Sequence, residues 1–163
     1  MLQQLSGKKV VVIGASSGIG LAVCQQVVEL GADVVMSSRS QDNIAPDGSI
    51  TLTSSVSIFK PSKTGGISIM SAASGAVAAF GRSLALELAP VRVNVIAPGV
   101  VDTGVWSNMS KSQKADLAKW GQESLPVQHL GQPEELAYAV LSLMTNPYIT
   151  GTILPVDGGL TLL

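Results

Sequence analysis

Charged side chains are scarce in this sequence. They make up 13% of 163 residues and leave a net charge of −1, where a soluble domain ordinarily carries ~25%. Nucleic acid and anionic membranes are bound through clustered Lys and Arg, so both are excluded as main targets. Cysteine is limited to Cys24. No intrachain disulfide can form, and a cytoplasmic location is expected. Cys24 falls inside a helical apolar pattern and is expected to be a small buried side chain. The one histidine, His129, has no cysteine or carboxylate at ligand spacing, so no metal is expected and His129 is expected to serve a loop or a cap. Ser54 and Ser55 have no His-Asp partners, which excludes a hydrolase of the triad type. The start, "MLQQLSGKK", does not read as a leader peptide. The apolar runs fall short of the ~20 residues that span a bilayer.

What is abundant is apolar surface, at 46% of residues. The length fits one domain, 1–163, with an extensive core and an apolar face left for a partner to cover. The most informative stretch is "KKVVVIGASSGIGLAVCQQVVELGADVVMSSRS". Val10 to Ile13 form a continuous β-branched run, as in a strand buried on both faces of a parallel sheet. Leu21, Val23, Cys24, Val27, Val28 and Leu30 recur at helical spacing, and Gly31 sits where a left-handed cap ends a helix. Val34 to Met36 form the next strand. Between the first strand and the helix lies a glycine-rich turn. Gly14 permits the tight turn, Gly18 lets backbone approach a phosphate, and Gly20 lets helix and strand pack closely. Free N–H groups at the helix start would hold a pyrophosphate. An acid after the second strand would bond a ribose 2′-OH. Here the position carries Arg39 among serines, and a guanidinium suits a 2′-phosphate. The expected cofactor is NADP(H), ahead of NAD(H).

"GASSGIG" resembles the phosphate loop of the short-chain dehydrogenase/reductase family. The resemblance resumes in "GSITLTSS", "GAVAAFGRSLALELAPVRVNVIAPGVVDT", "GQPEELAYAVLSLM" and "ITGTILPVDGG", and so covers most of the chain. It implies a Rossmann-like α/β fold with a doubly wound parallel sheet. Residues 1–39 would be the nucleotide-binding βαβ unit and 48–163 the substrate and nicotinamide half. It also implies site residues. Gly14, Ser16, Ser17, Gly18, Ile19 and Gly20 match the phosphate loop, and Arg39 the 2′-phosphate site. Pro98, Gly99, Val101 and Thr103 match the loop at the nicotinamide end, and Asn94 a structural asparagine. Ser55 matches the serine that hydrogen-bonds a substrate carbonyl.

Two departures stand out against that family. Its fifth helix carries a Tyr and, four residues on, a Lys that tunes it. Here Met70 and Ser74 occupy those places. A thioether donates no proton, and a serine carries no charge to shift a neighbour. Lys60 and Lys63, between Ser55 and Met70, are expected to be solvated loop charges. The stretch 68–90 is expected to form a buried helix. The second departure is length. Only Ser40 to Asp47 stand where the family has about two strand–helix units. Eight residues reach at most ~28 Å, and a strand of ~17–20 Å must be retraced. A bare link suffices only if the fifth family strand closes against the first. Either the chain is a compact deletion that repairs itself by assembly, or residues are omitted between the two halves.

Residues 102–126 correspond to the family's substrate-closing region. Trp106, Met109 and Trp120 give it an apolar face, expected to act as a lid over a hydrophobic small molecule or to pack on the core. The expected function is an NADP(H)-dependent oxidoreductase acting on a ketone, iminium or quinone-like substrate without the usual acid, and forming homo-oligomers. The alternatives are a non-redox isomerase, cyclase or binding module on the same fold, and an inactive truncated paralogue.

Overall fold

The structure, a computed structural model, describes residues 5–12, 18–36, 48–63 and 65–163. Strand β1 (Lys9–Val12), helix α1 (Gly18–Glu29) and strand β2 (Asp33–Met36) form the expected βαβ unit. β1 and β2 are parallel, with Val10 opposite Val34. Past the end of α1, Gly31 has φ +86°. Its N–H reaches the carbonyl of Val28, and that of Ala32 the carbonyl of Val27. A left-handed residue there closes the orphan carbonyls of the last turn.

The second half runs β3 (Ser49–Thr53), α2 (Ile67–Glu87), β4 (Arg92–Pro98), α3 (Lys111–Ser124), α4 (Pro133–Thr145) and β5 (Ile153–Val156). The three strands form a parallel sheet in the order β3-β4-β5. β4 is central, and Val93 to Pro98 are buried along their whole length. This is the continuous apolar run that a sheet covered on both faces selects. Asn94 is the polar exception, fully buried. It bonds the Ile149 carbonyl and the Thr152 N–H, at 3.0 and 3.3 Å. That pairing satisfies a group whose orphaning would cost ~1–3 kcal/mol.

Among the described residues no ladder joins β1 to β3, so the direct closure of the two strands is not made. The halves are joined by packing instead. α1 lies against α4. One apolar cluster runs through Leu5, Val23, Val27, Ile96, Ala137, Val140 and Leu141. α4 starts as the sequence suggests, with Pro133 in its first turn and a reciprocal cap between Gln132 and Glu135, which satisfies N–H groups that have no helical partner.

α2 departs from the expected buried helix. Its buried side is a narrow stripe of small residues, Ser74, Ala78, Gly81 and Ala85, lying on the sheet. The opposite side is open, with Ile69, Phe80 and Leu86 exposed by 78, 57 and 84%. The reason is composition: α2 is apolar all round, so its pattern does not distinguish the face that packs from the face left uncovered. α2 is also long and apolar enough to cross a membrane by length and composition, but it is the crossover between two parallel strands.

Candidate cofactor and active site

The C-terminal ends of the parallel strands gather the candidate site residues, the place where open α/β sheets bind ligands. Gly18 opens α1 with φ +57°, a conformation that glycine adopts without strain. A Cβ built on it would lie 3.4 Å from Cγ2 of Thr103. Two residues 85 positions apart, each matched to the cofactor site on sequence, therefore face each other across the two halves. Ile19 turns into the apolar cluster, and Gly20 follows in the first turn of α1. Gly14, Ser16, Ser17 and Arg39 lie outside the described residues.

The loop after β4 is fixed at several points. Pro98 is buried at the strand end. Gly99 has no room for a side chain, because a Cβ would come within 2.7 Å of the Asp157 Cα. Val101 is buried and bridges Gly131. The Gly131 N–H donates to Val100, and the Asp102 N–H to Gly131, at 3.0 and 2.8 Å. Thr103 caps the short turn Gly104–Trp106 by accepting from Val105. The Trp106 indole Nε1 donates back to the Val101 carbonyl at 2.8 Å. Asp157, behind Gly99, accepts from the N–H groups of Gly159 and Thr161. Burial pushes its carboxyl up, but the Thr161 and Gly159 bonds outweigh this and hold it below its ordinary 3.8.

Ser55 ends the loop after β3 and caps the turn Val56–Ile58, its Oγ accepting from Ser57 at 3.2 Å. The Ser54 Oγ donates to the Ser74 carbonyl at 2.9 Å, and the Ser71 Oγ to the Ser57 carbonyl at 3.1 Å. The serine pair is thus held against the Met70–Ser74 turn of α2. Ser74 is buried, and Met70 is 43% exposed. These two hydroxyl tethers were not anticipated from sequence, because their partners are backbone carbonyls 14 and 20 residues away. Lys60 departs from its expected solvated role. Its Nζ donates to the carbonyls of Leu160 and Leu163, at 3.0 and 2.8 Å. The turn at 160–162 comes back over the loop and offers carbonyls at ammonium distance.

Trp106, Met109 and Trp120 are half-buried. α3, which follows Met109 and contains Trp120, carries a full capping box of Ser110 and Gln113. His129 lies in the turn before α4, consistent with a loop role. The same turn lines a cavity of about 190 Å³, together with Val100, Glu135, Val156 and Asp157. Cys24 is buried and free, and burial raises its thiol pKa. Among the described residues no group of three or more His, Cys, Asp or Glu could hold a metal.

The family model described as enoyl-(acyl carrier protein) reductase matches residues 41–161, and that described as short chain dehydrogenase matches residues 8–46. A 3-oxoacyl-(acyl-carrier-protein) reductase of Homo sapiens is 43% identical over 100 residues, 60% of this chain and 39% of the relative. That of Mus musculus is 37% identical over 135 residues, 82% of this chain and 53% of the relative. The chain thus spans about half the length of these relatives, or less. Among solved structures, a small-chain dehydrogenase in complex with NADPH aligns with TM-score 0.84 at 25% identity, covering 96% of this chain and 99% of that one. A reductase/Diels-Alderase from Malbranchea aurantiaca shares the fold, with TM-score 0.85 at 21% identity over 99% of both chains. With its parallel sheet, its glycine-led first helix and these matches, the chain belongs to the short-chain dehydrogenase/reductase family.

Proposed function

We propose that the protein is an NADP(H)-dependent oxidoreductase of a hydrophobic small molecule, working without a Tyr–Lys acid. The carrying observation is the apposition of Gly18 and Thr103. It sets a side-chain-free helix start, with its orphan N–H groups, opposite the loop from Pro98 to Thr103. Gly14, Ser16, Ser17, Gly18, Ile19 and Gly20 would hold the pyrophosphate, Arg39 the 2′-phosphate, and Pro98, Gly99, Val101 and Thr103 the nicotinamide end. The chemistry supplied by a bound nicotinamide is hydride transfer. The chain itself binds, orients and excludes water. Ser55 accepts one hydrogen bond from Ser57 and keeps a hydroxyl proton to donate to a carbonyl. Trp106, Met109 and Trp120 would cover an apolar substrate. Met70 offers no proton, so the substrate class that fits is one already activated, an iminium or quinone-like system, ahead of a simple ketone. Residues 1–39 and 48–163 act as the two parts of one domain of a cytoplasmic protein. The uncovered apolar side of α2 supports a homo-oligomer.

A second reading is favoured by Met70 in the place of the family's proton donor, together with the half-buried Trp106 and Trp120: a non-redox isomerase, cyclase or binding role on the same fold. Calorimetric titration decides first. NADPH is expected to bind more tightly than NADH, and Gly18→Val to abolish binding. Failure of both nucleotides to bind at millimolar concentration refutes the oxidoreductase reading. Binding of NADPH without consumption alongside product formation favours the second.

A further inference from the structure

The turn from Val127 to Gln132 connects three parts of the site. Gly131 bonds Val100 and Asp102 of the nicotinamide-end loop, and Val127 donates to the Gly158 carbonyl at 3.4 Å. Gln128, between them, has φ +61°, in the left-handed region that non-glycine residues adopt only when held there. The Gln128 N–H donates to the Leu125 carbonyl at 2.9 Å, and the turn is tied further by the next side chain, that of His129. Its Nδ1 lies 2.9 Å from the Val127 carbonyl and its Nε2 3.0 Å from Oε1 of Glu135. The other Glu135 oxygen takes the Gln132 N–H at 2.7 Å, so the carboxylate is pinned to the start of α4.

Both ring nitrogens therefore face acceptors. A neutral imidazole has one N–H. It can satisfy either partner, and it then turns a lone pair on the other. Only the imidazolium donates to both. The remaining titratable groups around it agree in sign. Asp157, from the turn after β5, shares the 190 Å³ cavity with His129 and Glu135. Asp102, from the loop after β4, shares a second cavity of about 160 Å³ with His129. Neither lining includes a lysine or arginine among the described residues.

We propose that His129 is a positioning residue: its charged form clamps the 127–132 turn onto the nicotinamide-end loop, and its deprotonation loosens that loop. The effect on cofactor affinity rests on the oxidoreductase reading above; the clamp does not. The Glu135 bond and then the Val127 carbonyl raise the imidazole above its ordinary 6.5, against a smaller opposing effect of burial. The Gln132 N–H and then His129 hold Glu135 below its ordinary 4.5. A raised histidine stabilises fully below its unfolded value and loses that contribution as pH rises through the folded one. A lowered glutamate does the reverse. The clamp is therefore complete between about pH 4.5 and 6.5 and releases above.

The test is NMR on the full chain without ligand from pH 5.5 to 8.5, following the His129 ring and the Trp106 indole N–H, which is bonded to the clamped loop. In the wild type both are expected to move with one midpoint above 6.5. Glu135→Gln lowers that midpoint, and His129→Gln removes the transition at Trp106. A Trp106 resonance indifferent to pH, or a ring titrating at or below its ordinary value, overturns the clamp. NADPH titrations then compare wild type with His129→Gln at pH 6 and 8.5, so that ionisation of the nucleotide cancels. The affinity ratio is expected to shift three- to tenfold, and a constant ratio removes the link to the cofactor. Absence of NADPH binding at any pH sinks the oxidoreductase reading alone.

Discussion

Gly75 and Gly81 lie in the same helix and meet opposite surroundings. A Cβ at Gly75 would touch nothing within 4 Å, while one at Gly81 would come 2.5 Å from Cγ2 of Val95 and 3.3 Å from Cδ1 of Leu52. Gly→Ala inside a helix ordinarily gains ~0.8–1.0 kcal/mol. Gly75→Ala is expected to keep that gain. At Gly81 the gain is opposed by over-packing, ordinarily ~1–3 kcal/mol. Val95 is fully buried and β-branched, so its χ1 has little freedom to turn aside. Over-packing wins, and Gly81→Ala is expected to destabilise by roughly 0–2 kcal/mol. The two variants should then differ by about 1–3 kcal/mol. At ~2–4 °C per kcal/mol for a chain of this size, their melting temperatures separate by several degrees. Thermal unfolding by circular dichroism measures this, with Gly81→Ala/Val95→Ala as the relief of the clash. Equal stabilisation by both single variants would refute the seating of α2 on β3 and β4.

Arg92 closes the end of α4 through Nη1 to the Leu143 and Ile149 carbonyls and Nη2 to that of Met144. Arg92→Met is expected to cost about 2 kcal/mol, the scale of hydrogen bonds to a charged donor, read as a lower denaturant midpoint with unchanged slope. Met70→Tyr/Ser74→Lys installs the acid and cation that the family pattern expects. If proton supply is what the site lacks, NADPH-dependent reduction of a simple ketone should rise by ~10²–10⁴-fold; no gain would place the deficit elsewhere.

Much of the fold was written locally. Gly31 marks the end of α1, and Pro133 with Glu135 marks the start of α4, because each acts on backbone groups within four residues. The apposition of Gly18 and Thr103 was implied only through the family pattern, since nothing local joins residues 85 apart. Arg92 was illegible: the carbonyls it caps lie 51 to 57 positions away, and a lone arginine opening a strand looks solvated. The exposed side of α2 was illegible for a different reason, since both its faces are apolar. The His129–Glu135 pair was within reach. A histidine six residues before an acid in the first turn of a Pro-started helix can fold back onto it.

That no ladder joins β1 to β3 among the described residues has a mechanical consequence. A hydrogen-bonded ladder resists sliding, because each bond is directional and lost at once. The α1–α4 contact that joins the halves here is a side-chain interface, and such interfaces shear by small steps at little cost. Amide protons of β1 and β2 should therefore exchange as one cooperative block and those of β3, β4 and β5 as another. The boundary between the blocks passes between Gly18 and Thr103, so the spacing of these two residues is set by how the two parts of the domain settle against each other.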